Sequence, residues 1–467
     1  MNPKQRGEKM KGKLLLVIAL ILVSVVLADG KILGTVLDEN DNRLTARVRF
    51  YNFQKGFLST IYTDWDGTFE IYLSKGEYEI EVTKGSEFER KIYQLKLEDD
   101  EEIRLSITLK RLCDLTKMGW FGGDTHMHTI YSDGKQNPEE LALACSAAGL
   151  SWAILTDHNT LGGKDEWLSL SNRGIITIIG EEVTTKIGHL NAMGIAKLVQ
   201  WQPAQSDDDI KKIFDEIHSQ DALTQINHPF DLKNPFEKLH IESYDLIEIW
   251  NGGAPPIVKG LGNGEAQQYW YKLLNEGKRI PAIAASDCHD IYSAYSLLGL
   301  LPFEIVLQIL KKELPNPEFL EYVKNNEQTL RNWVKYGLFP GTPRTYVNIN
   351  QVTEKSILQA LKNGKSFMTN GPLLLANIDG KQPGEEVSSS QKVFIDIDVI
   401  SNQPIKELRV VQAGKPVCSM VINDKEVFSC RVQIDPTEGE WVVVEVFGDY
   451  PVYAITNPIY LKANKSY

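Results

Sequence analysis

Ser151-Trp152-Ala153-Ile154-Leu155-Thr156 is a short apolar run that stops on Asp157-His158, and the same arrangement recurs along the chain. Ile175-Ile176-Thr177-Ile178-Ile179-Gly180 runs into Glu181-Glu182, and Ala222-Leu223-Thr224-Gln225-Ile226 runs into Asn227-His228. Leu246-Ile247 leads to Glu248, and Ile280-Pro281-Ala282-Ile283-Ala284-Ala285 leads to Ser286-Asp287. Short apolar runs bounded by polar residues read as buried strands. Helices fall between them. Pro138 to Ala148 opens with an Asn137 cap, a proline at the first helical position and acidic Glu139-Glu140. Asp208 to Ser219 carries Ile210, Ile213, Phe214 and Ile217 on one face, and Glu265 to Asn275 is also amphipathic. Alternating strands and helices with polar residues at successive strand ends predict an α/β fold, a (β/α) barrel whose site collects at the C-terminal ends of its strands. The alternative, an open doubly wound sheet, gathers its site at a topological switch instead of around a ring.

The residues at those strand ends share one chemistry. His126-Met127-His128 puts two imidazoles on one side of an extended segment, because side-chain direction repeats every second residue. Asp133 follows in the turn Tyr131-Ser132-Asp133-Gly134, and His158, Glu182, His189, His228, Asp287 and His289 complete the set. Six of the eight histidines belong to it. Histidine combined with carboxylate favours Zn, Mn or Fe over Ca or Mg, so the set reads as a site for two or three divalent ions. An isolated His is more often a packing or hydrogen-bonding residue, which leaves His218 and His240 outside. Glu181 adjoins Glu182, but successive strand side chains face opposite ways, so only one of the two enters the site. Asp124 is assigned to orienting the first histidine pair, since ligating imidazoles need a carboxylate or carbonyl partner.

Around this region the pattern becomes β-type. Residues 29–111 alternate through Thr45 to Tyr51, Phe69 to Leu73, Tyr78 to Val82 and Ile103 to Leu109, with turns at Asp66-Gly67 and Lys75-Gly76. Residues 344–467 contain strand-like runs at Arg344 to Ile349, Val393 to Val399, Glu407 to Val411 and Trp441 to Phe447, with a helix near Glu354 to Asn363. The chain of 467 residues is therefore divided into a leader (1–28), a β-sandwich (29–111), the metal-site domain (112–343) and a second β-sandwich (344–467). Basic residues in Lys4 to Lys13 precede an apolar run, Leu14 to Leu27, that ends in small residues before Asp29. This is the layout of a secretory signal peptide, and it predicts a secreted or periplasmic protein. The alternative is a retained membrane anchor, for which the run is short of the roughly 20 apolar residues a span requires.

The net charge of −12 argues against nucleic acid as the principal partner, which would need positive potential. It leaves a small anionic substrate open, because bound metal ions reverse the local field. Five cysteines make no disulfide framework. Cys418 and Cys430 are placed on neighbouring strands, where pairing is open to them, and Cys113, Cys145 and Cys288 read as buried thiols. Cys288 alternates with Asp287 and His289 and points away from them.

The motifs Gly122-Gly123-Asp124-Thr125-His126-Met127-His128, Leu155-Thr156-Asp157-His158-Asn159, Gly180-Glu181-Glu182 with Gly188-His189, Ile226-Asn227-His228-Pro229 and Ala285-Ser286-Asp287-Cys288-His289 resemble the PHP (polymerase and histidinol phosphatase) superfamily in order and type. Gly119-Trp120-Phe121, Pro343 to Val347 and Lys365 to Leu374 are similar to its CehA/McbA metallohydrolase branch. Thr63 to Phe69 resembles the carboxypeptidase regulatory-like domains of secreted proteins. The superfamily resemblance implies a distorted seven-stranded (β/α) barrel holding a trinuclear cluster. One ion would take His126, His128, Glu182 and Asp287, a second would share Glu182 and add His189 and His228, and a third would use Asp133, His158 and His289. It implies a hydrolase using metal-activated water, with Asp287, His228 and Arg344 as catalytic residues and either the third ion or Arg344 neutralising the leaving oxygen. Phosphomonoester or phosphodiester hydrolysis leads. Carboxyl ester, carbamate or amide hydrolysis is the alternative, with Trp120, Phe121, Trp250, Tyr292 and Tyr295 as an aryl pocket. A non-catalytic, metal-stabilised binding protein is the third reading. Residues 290–343 depart from the family pattern as a helical insert, with helices read at Leu301 to Lys312 and Pro317 to Tyr336, placed either as a lid or at the periphery.

Overall fold

A computed structural model describes residues 30–52, 54, 57–253, 262–292, 301, 303–313, 317–328, 339–389, 391–449 and 452–463. The leader and Tyr295 lie outside them. Among the described residues, no helix is long and apolar enough to cross a membrane.

The first seven strands are β1 (Gly30–Leu37), β2 (Arg47–Asn52), β3 (Phe57–Tyr62), β4 (Thr68–Leu73), β5 (Gly76–Thr83), β6 (Lys91–Leu97) and β7 (Glu102–Thr108). They form two sheets, ordered β4-β1-β7 and β3-β2-β5-β6. Alternation sends Ile32, Val36, Val48, Phe50, Ile80 and Val82 into one buried cluster. The opposite face of β2 therefore carries Arg47 and Arg49.

The next seven strands bear the polar ends: β8 (Trp120–Asp124), β9 (Trp152–Leu155), β10 (Ile176–Thr185), β11 (Gly188–Met193), β12 (Leu223–Ile226), β13 (Leu246–Asn251) and β14 (Ala282–Ala285). They lie side by side in chain order within one large sheet. Neighbours pair in parallel except around β11, which runs antiparallel to both β10 and β12. Only Lys186 and Ile187 separate β10 from β11, too few residues for a crossover, so the two form a hairpin. Helices α1 (Pro138–Ala147), α2 (Lys164–Ser169), α3 (Asp207–His218) and α4 (Asn263–Asn275) lie in the β8–β9, β9–β10, β11–β12 and β13–β14 connections, and residues 227–245 join β12 to β13 without a helix. Helix α1 starts where its sequence signal lies, with reciprocal 2.9 Å hydrogen bonds between Asn137 and Glu140.

The chain leaving β14 lies beside the chain leaving β8. Asp287 N donates to His126 O at 2.9 Å and His128 N donates to Cys288 O at 3.0 Å. Two ligand-bearing segments, far apart in sequence, are thereby fixed in register.

In the insert, α5 (Phe303–Glu313) and α6 (Pro317–Asn325) lie where helices are predicted and bury Val306, Leu310 and Val323. The flanking stretches 293–300 and 329–338, including the predicted continuation to Tyr336, lie outside the described residues.

The remaining elements continue the sheet across residue 344. β15 (Arg344–Asn348) pairs antiparallel with β8, placing Thr345 opposite Gly123, and pairs on its other side with β16 (Ser366–Thr369). The sheet of the metal-site region thus continues into the C-terminal strands instead of ending before them. Pairing satisfies the backbone groups that an exposed edge of β8 would leave open. Helix α7 (Glu354–Lys362) packs Ile357, Ala360 and Leu361 into the same cluster as Trp152, Ile154, Ile178, Leu246 and Ile283. The rest of the C-terminal unit comprises β17 (Leu373–Ile378), β18 (Glu386–Ser389), β19 (Val393–Gln412), β20 (Lys415–Ile434), β21 (Trp441–Gly448), β22 (Tyr453–Thr456) and β23 (Ile459–Ala463). Cys418 and Cys430 are not on neighbouring strands. Both belong to β20, on either side of the register shifts around Ile405, and all five cysteines are free thiols.

Candidate metal centre

The nine predicted residues converge. Strand ends and the tight backbone around them bring this about: β8 delivers His126 and His128, β9 delivers His158, β10 delivers Glu182, and β12 delivers His228. His189 arrives on the hairpin strand β11, whose pairing sets Thr184 opposite His189. His228 and Asp287 occupy positive φ, at 28° and 53°, a sparsely populated conformation for residues of their kind.

Glu182 is the hub. Its Oε2 lies 3.3 Å from His126 Nε2, 3.3 Å from His128 Nε2 and 3.0 Å from His158 Nδ1. Its Oε1 lies 3.1 Å from His189 Nδ1 and 3.4 Å from His228 Nε2. Asp287 Oδ1 faces His126 at 3.3 Å, His128 at 3.1 Å and His289 Nδ1 at 3.5 Å. Asp133 closes the outer side, 3.5 Å from His158 and 3.2 Å from His289. The interior is dry and the mouth is not: the His126 and His128 side chains are 0% exposed, Glu182 is 1% exposed, and Asp133 is 56% exposed.

Four groups of ligand atoms lie within 4.8 Å of one another: His128-Asp133-His158-His289, His126-His128-Glu182, His126-His228-Asp287 and His158-Glu182-His189. His126, His128, His158 and Glu182 each belong to two groups, so the positions are tightly shared rather than split into three separate shells. The donor set fits divalent cations. His128 Nδ1 and His228 Nδ1 are buried without a hydrogen-bond partner, an arrangement that would be costly unless something binds there.

The surrounding polar residues were only partly legible. Glu248, fully buried, lies 3.3 Å from His126 Nδ1, and the His228 N–H and Asn251 Nδ2 donate to it at 2.6 and 3.0 Å. It is the carboxylate that orients an imidazole of the first pair. Its signal was its place after the apolar Leu246-Ile247. Asp124, assigned to that role, instead accepts backbone N–H groups of His126, Ser286 and Gly341 at 3.2, 3.1 and 2.7 Å. It holds the two ligand-bearing turns rather than a ring. Asn227 Nδ2 donates to Glu182 at 2.9 Å and to Asn191 at 2.8 Å. Asp157 accepts from Thr129 and from Ser132, fixing the turn that presents Asp133. Glu181 faces away and accepts from Val199 N at 2.9 Å, and burial pushes its carboxyl up to about 7. His218 and His240 pair with Asp245 and Asp207, outside the cluster.

Arg344, expected at the leaving oxygen, makes its described contacts to backbone carbonyls. The alternation of β15 turns Thr345 inward, where its hydroxyl donates to Ala284 O at 2.9 Å, and turns Arg344 the other way. The guanidinium donates to Gly341 O at 2.8 Å and Ala148 O at 2.6 Å. Among the described residues, the aromatic side chains expected to line an aryl pocket each have packing partners. Trp120 packs on Phe367 at 5.2 Å and Trp250 on Tyr453 at 5.2 Å, both buried, Phe121 packs with the α7 cluster, and Tyr292 leans on Tyr62.

The electrostatics of the cluster follow from its crowding. Against the opposing effect of burial, hydrogen bonds to Asp133 and Glu182 push His158 up to about 10. Against burial, Glu182 pushes His228 up to about 9, and the Asp287 charge with Asp133 pushes His289 up to about 9. Burial, with the His289 charge adding, pushes His128 down to about 4. Burial opposes the histidine charges at Glu182 and Asp287, but the histidines prevail and hold both carboxyls well below the usual range.

Metal uptake near neutral pH must therefore displace protons from His158, His228 and His289. Metal affinity is expected to rise with pH towards about 9 to 10, with proton release visible by calorimetry in buffers of different ionisation enthalpy. The chelated protein should behave oppositely. Raised folded-state values contribute stability that is complete below the unfolded imidazole value, roughly 6.5, and lost as pH rises through about 9 to 10. A chelated melting temperature that climbed between pH 7 and 9, with no protons released on metal binding, would sink this account.

Residues 124–250 match the family model described as the PHP domain. That span contains His126, His128, Asp133, His158, Glu182, His189 and His228, while Asp287 and His289 lie beyond it. No curated protein matches the chain. Among solved structures, the chain is similar to a two-domain protein from Bacteroides vulgatus containing a predicted PHP-like metal-dependent phosphoesterase. That likeness has 18% identity and a TM-score of 0.40, covering 73% of this chain and 95% of that one. It is also similar to an amidohydrolase from Chromobacterium violaceum with bound sulfate, at 14% identity and a TM-score of 0.28, covering 36% of this chain and 87% of that one.

Proposed function

We propose that the protein is a metal-dependent hydrolase that cleaves a phosphomonoester or phosphodiester with activated water. The observation that carries this reading is the convergence of six histidines and three carboxylates on one half-open mouth, with two buried imidazole nitrogens left unpartnered, in a region that matches the PHP domain. His126, His128, Asp133, His158, Glu182, His189, His228, Asp287 and His289 would hold two or three divalent ions, of the Zn, Mn or Fe type. Such ions, when bound, lower the pKa of water and offset charge building on a substrate oxygen.

The chain's own residues do the rest. Glu182 keeps its charge and spaces the imidazoles. Glu248 and Asn227 fix ring and carboxylate orientation from behind. Asp287 and His228 stand at the inner wall of the mouth with partial exposure, and are assigned the proton transfers. Asp133, the most exposed of the set, lies where a substrate would enter. The seven strands β8 to β14, with the Asp287–His126 and His128–Cys288 hydrogen bonds between their two ends, support a distorted seven-stranded (β/α) barrel. Residues 29–111 are read as a carboxypeptidase regulatory-like sandwich, and residues 1–28 as a leader for action outside the cytoplasm.

The test is a turnover screen of the full chain loaded in turn with Zn, Mn and Fe, across chromogenic phosphomonoesters, phosphodiesters, carboxyl esters and carbamates. Phosphoester cleavage that chelation abolishes is expected. Cleavage confined to carboxyl esters or carbamates would reassign the bond. Metal binding without turnover on any substrate class would leave a binding protein.

A further inference from the structure

Strand alternation puts Val48 and Phe50 inside the first sandwich and leaves Arg47 and Arg49 on its outer face. In an isolated sandwich that face would be solvated, and arginines would suit it. Here it is covered. Phe339 is buried against it, with the Arg47 guanidinium 4.0 Å and the Arg49 guanidinium 5.2 Å from its ring centre. Arg49, 0% exposed, retains one carboxylate contact, to Glu81 at 3.3 Å, and Arg90 reaches the same carboxylate at 2.6 Å.

Between this face, the end of α1 and the Phe339–Arg344 segment lies a cavity of about 80 Å³. Arg47, Arg90 and Arg344 line it with Asn402 and Gln403, and Glu81 is the one carboxylate among its described lining residues. The cationic side is undercompensated. Arg47 Nε, Arg49 Nε and Arg49 Nη2 are buried without hydrogen-bond partners. Desolvation and the neighbouring Arg49 charge lower the Arg47 pKa. Burying guanidinium donors without acceptors is costly, and it stands out in a chain whose net charge is −12. Planar guanidinium donors suit the oxygens of phosphate.

We propose that this interdomain cavity binds a phosphate-class oxyanion, separately from the metal centre. The anion would accept hydrogen bonds from Arg47 and its neighbours and balance the charge that Glu81 leaves unmatched. Gly341, in the segment that walls the cavity, donates to Asp124 behind the metal cluster, so occupancy would also steady that support.

The test is titration calorimetry of inorganic phosphate into the full chain after chelation, beside the variants Arg47→Gln, Arg47→Lys and Asp287→Asn. Parent and Asp287→Asn should bind equally, Arg47→Gln should bind at least roughly tenfold more weakly, and Arg47→Lys should recover part of the loss. A melting temperature near that of the parent for Arg47→Gln shows that weaker binding is not unfolding. If that variant is too unstable to titrate, Arg47→Lys decides, with weakened binding expected. Three results overturn the proposal: no phosphate binding to the chelated parent, unchanged affinity in both Arg47 variants, or loss of binding in Asp287→Asn.

Discussion

Glu182→Gln is expected to lower metal-dependent turnover by about 10²- to 10³-fold, the scale of losing one transition-state charge stabiliser, because it would weaken the hold on ions that offset that charge. The reason is the number of partners. Five imidazoles approach the two oxygens of this carboxylate at 3.0 to 3.4 Å, and Asn227 adds a sixth donor. A glutamine of the same shape keeps one oxygen and turns an amide group toward the other set of rings. It also removes the charge that holds His158 and His228 above their ordinary values. The variant should bind fewer ions per chain by elemental analysis while keeping its secondary structure by circular dichroism. Full metal content with parent-like turnover would refute the hub role.

Asp124→Ala is expected to have the largest effect on stability. This fully buried carboxylate accepts three backbone N–H groups, from His126, Ser286 and Gly341, and so ties β8, the end of β14 and the segment before β15 together. Stranding each donor costs about 1 to 3 kcal/mol, which puts the loss at about 3 kcal/mol or more. Denaturant unfolding with chelator present separates this loss from any loss of metal. Hydrogen exchange should quicken at the Ser286 and Gly341 amides before it does in the first sandwich. Exchange and unfolding that match the parent would show that the three segments are held by other contacts.

The local parts of the fold were written in periodicity. Short apolar runs ending in His, Asp or Glu identified β9, β10, β12, β13 and β14, and the Asn137-Pro138 signal placed α1. What periodicity misses is contact between segments far apart in sequence. Strand β11 hides in a mixed stretch, Gly188 to Met193, and exists as a strand because two residues between it and β10 force a hairpin. Residue 344 looked like the start of a new domain because the pattern turns β-type there. Pairing of β15 with β8 carries the sheet straight through that position.

The candidate site divides in the same way. Ligand identity was legible because metal chemistry restricts residue type, and His-Met-His or Asp-Cys-His spacing sets direction along an extended chain. Glu248 stood out as a strand end but carried no assigned role, because a lone glutamate after two apolar residues is locally indistinguishable from many others. Only folding brings it to His126 Nδ1. Arg344 shows the opposite case. Its type suited the chemistry, but the pleat of β15 points it at Ala148 and Gly341 instead.

The sequence alone therefore determined the alternating strands and helices, the nine candidate ligands and the sidedness of each strand, since these depend on spacing and side-chain chemistry. The tertiary structure decided which carboxylates stand behind the ligands, how the sheet runs across residue 344, and that the outward arginines of the first sandwich are buried. Those outcomes depend on which distant surface covers a given face, and alternation along one strand carries no information about that.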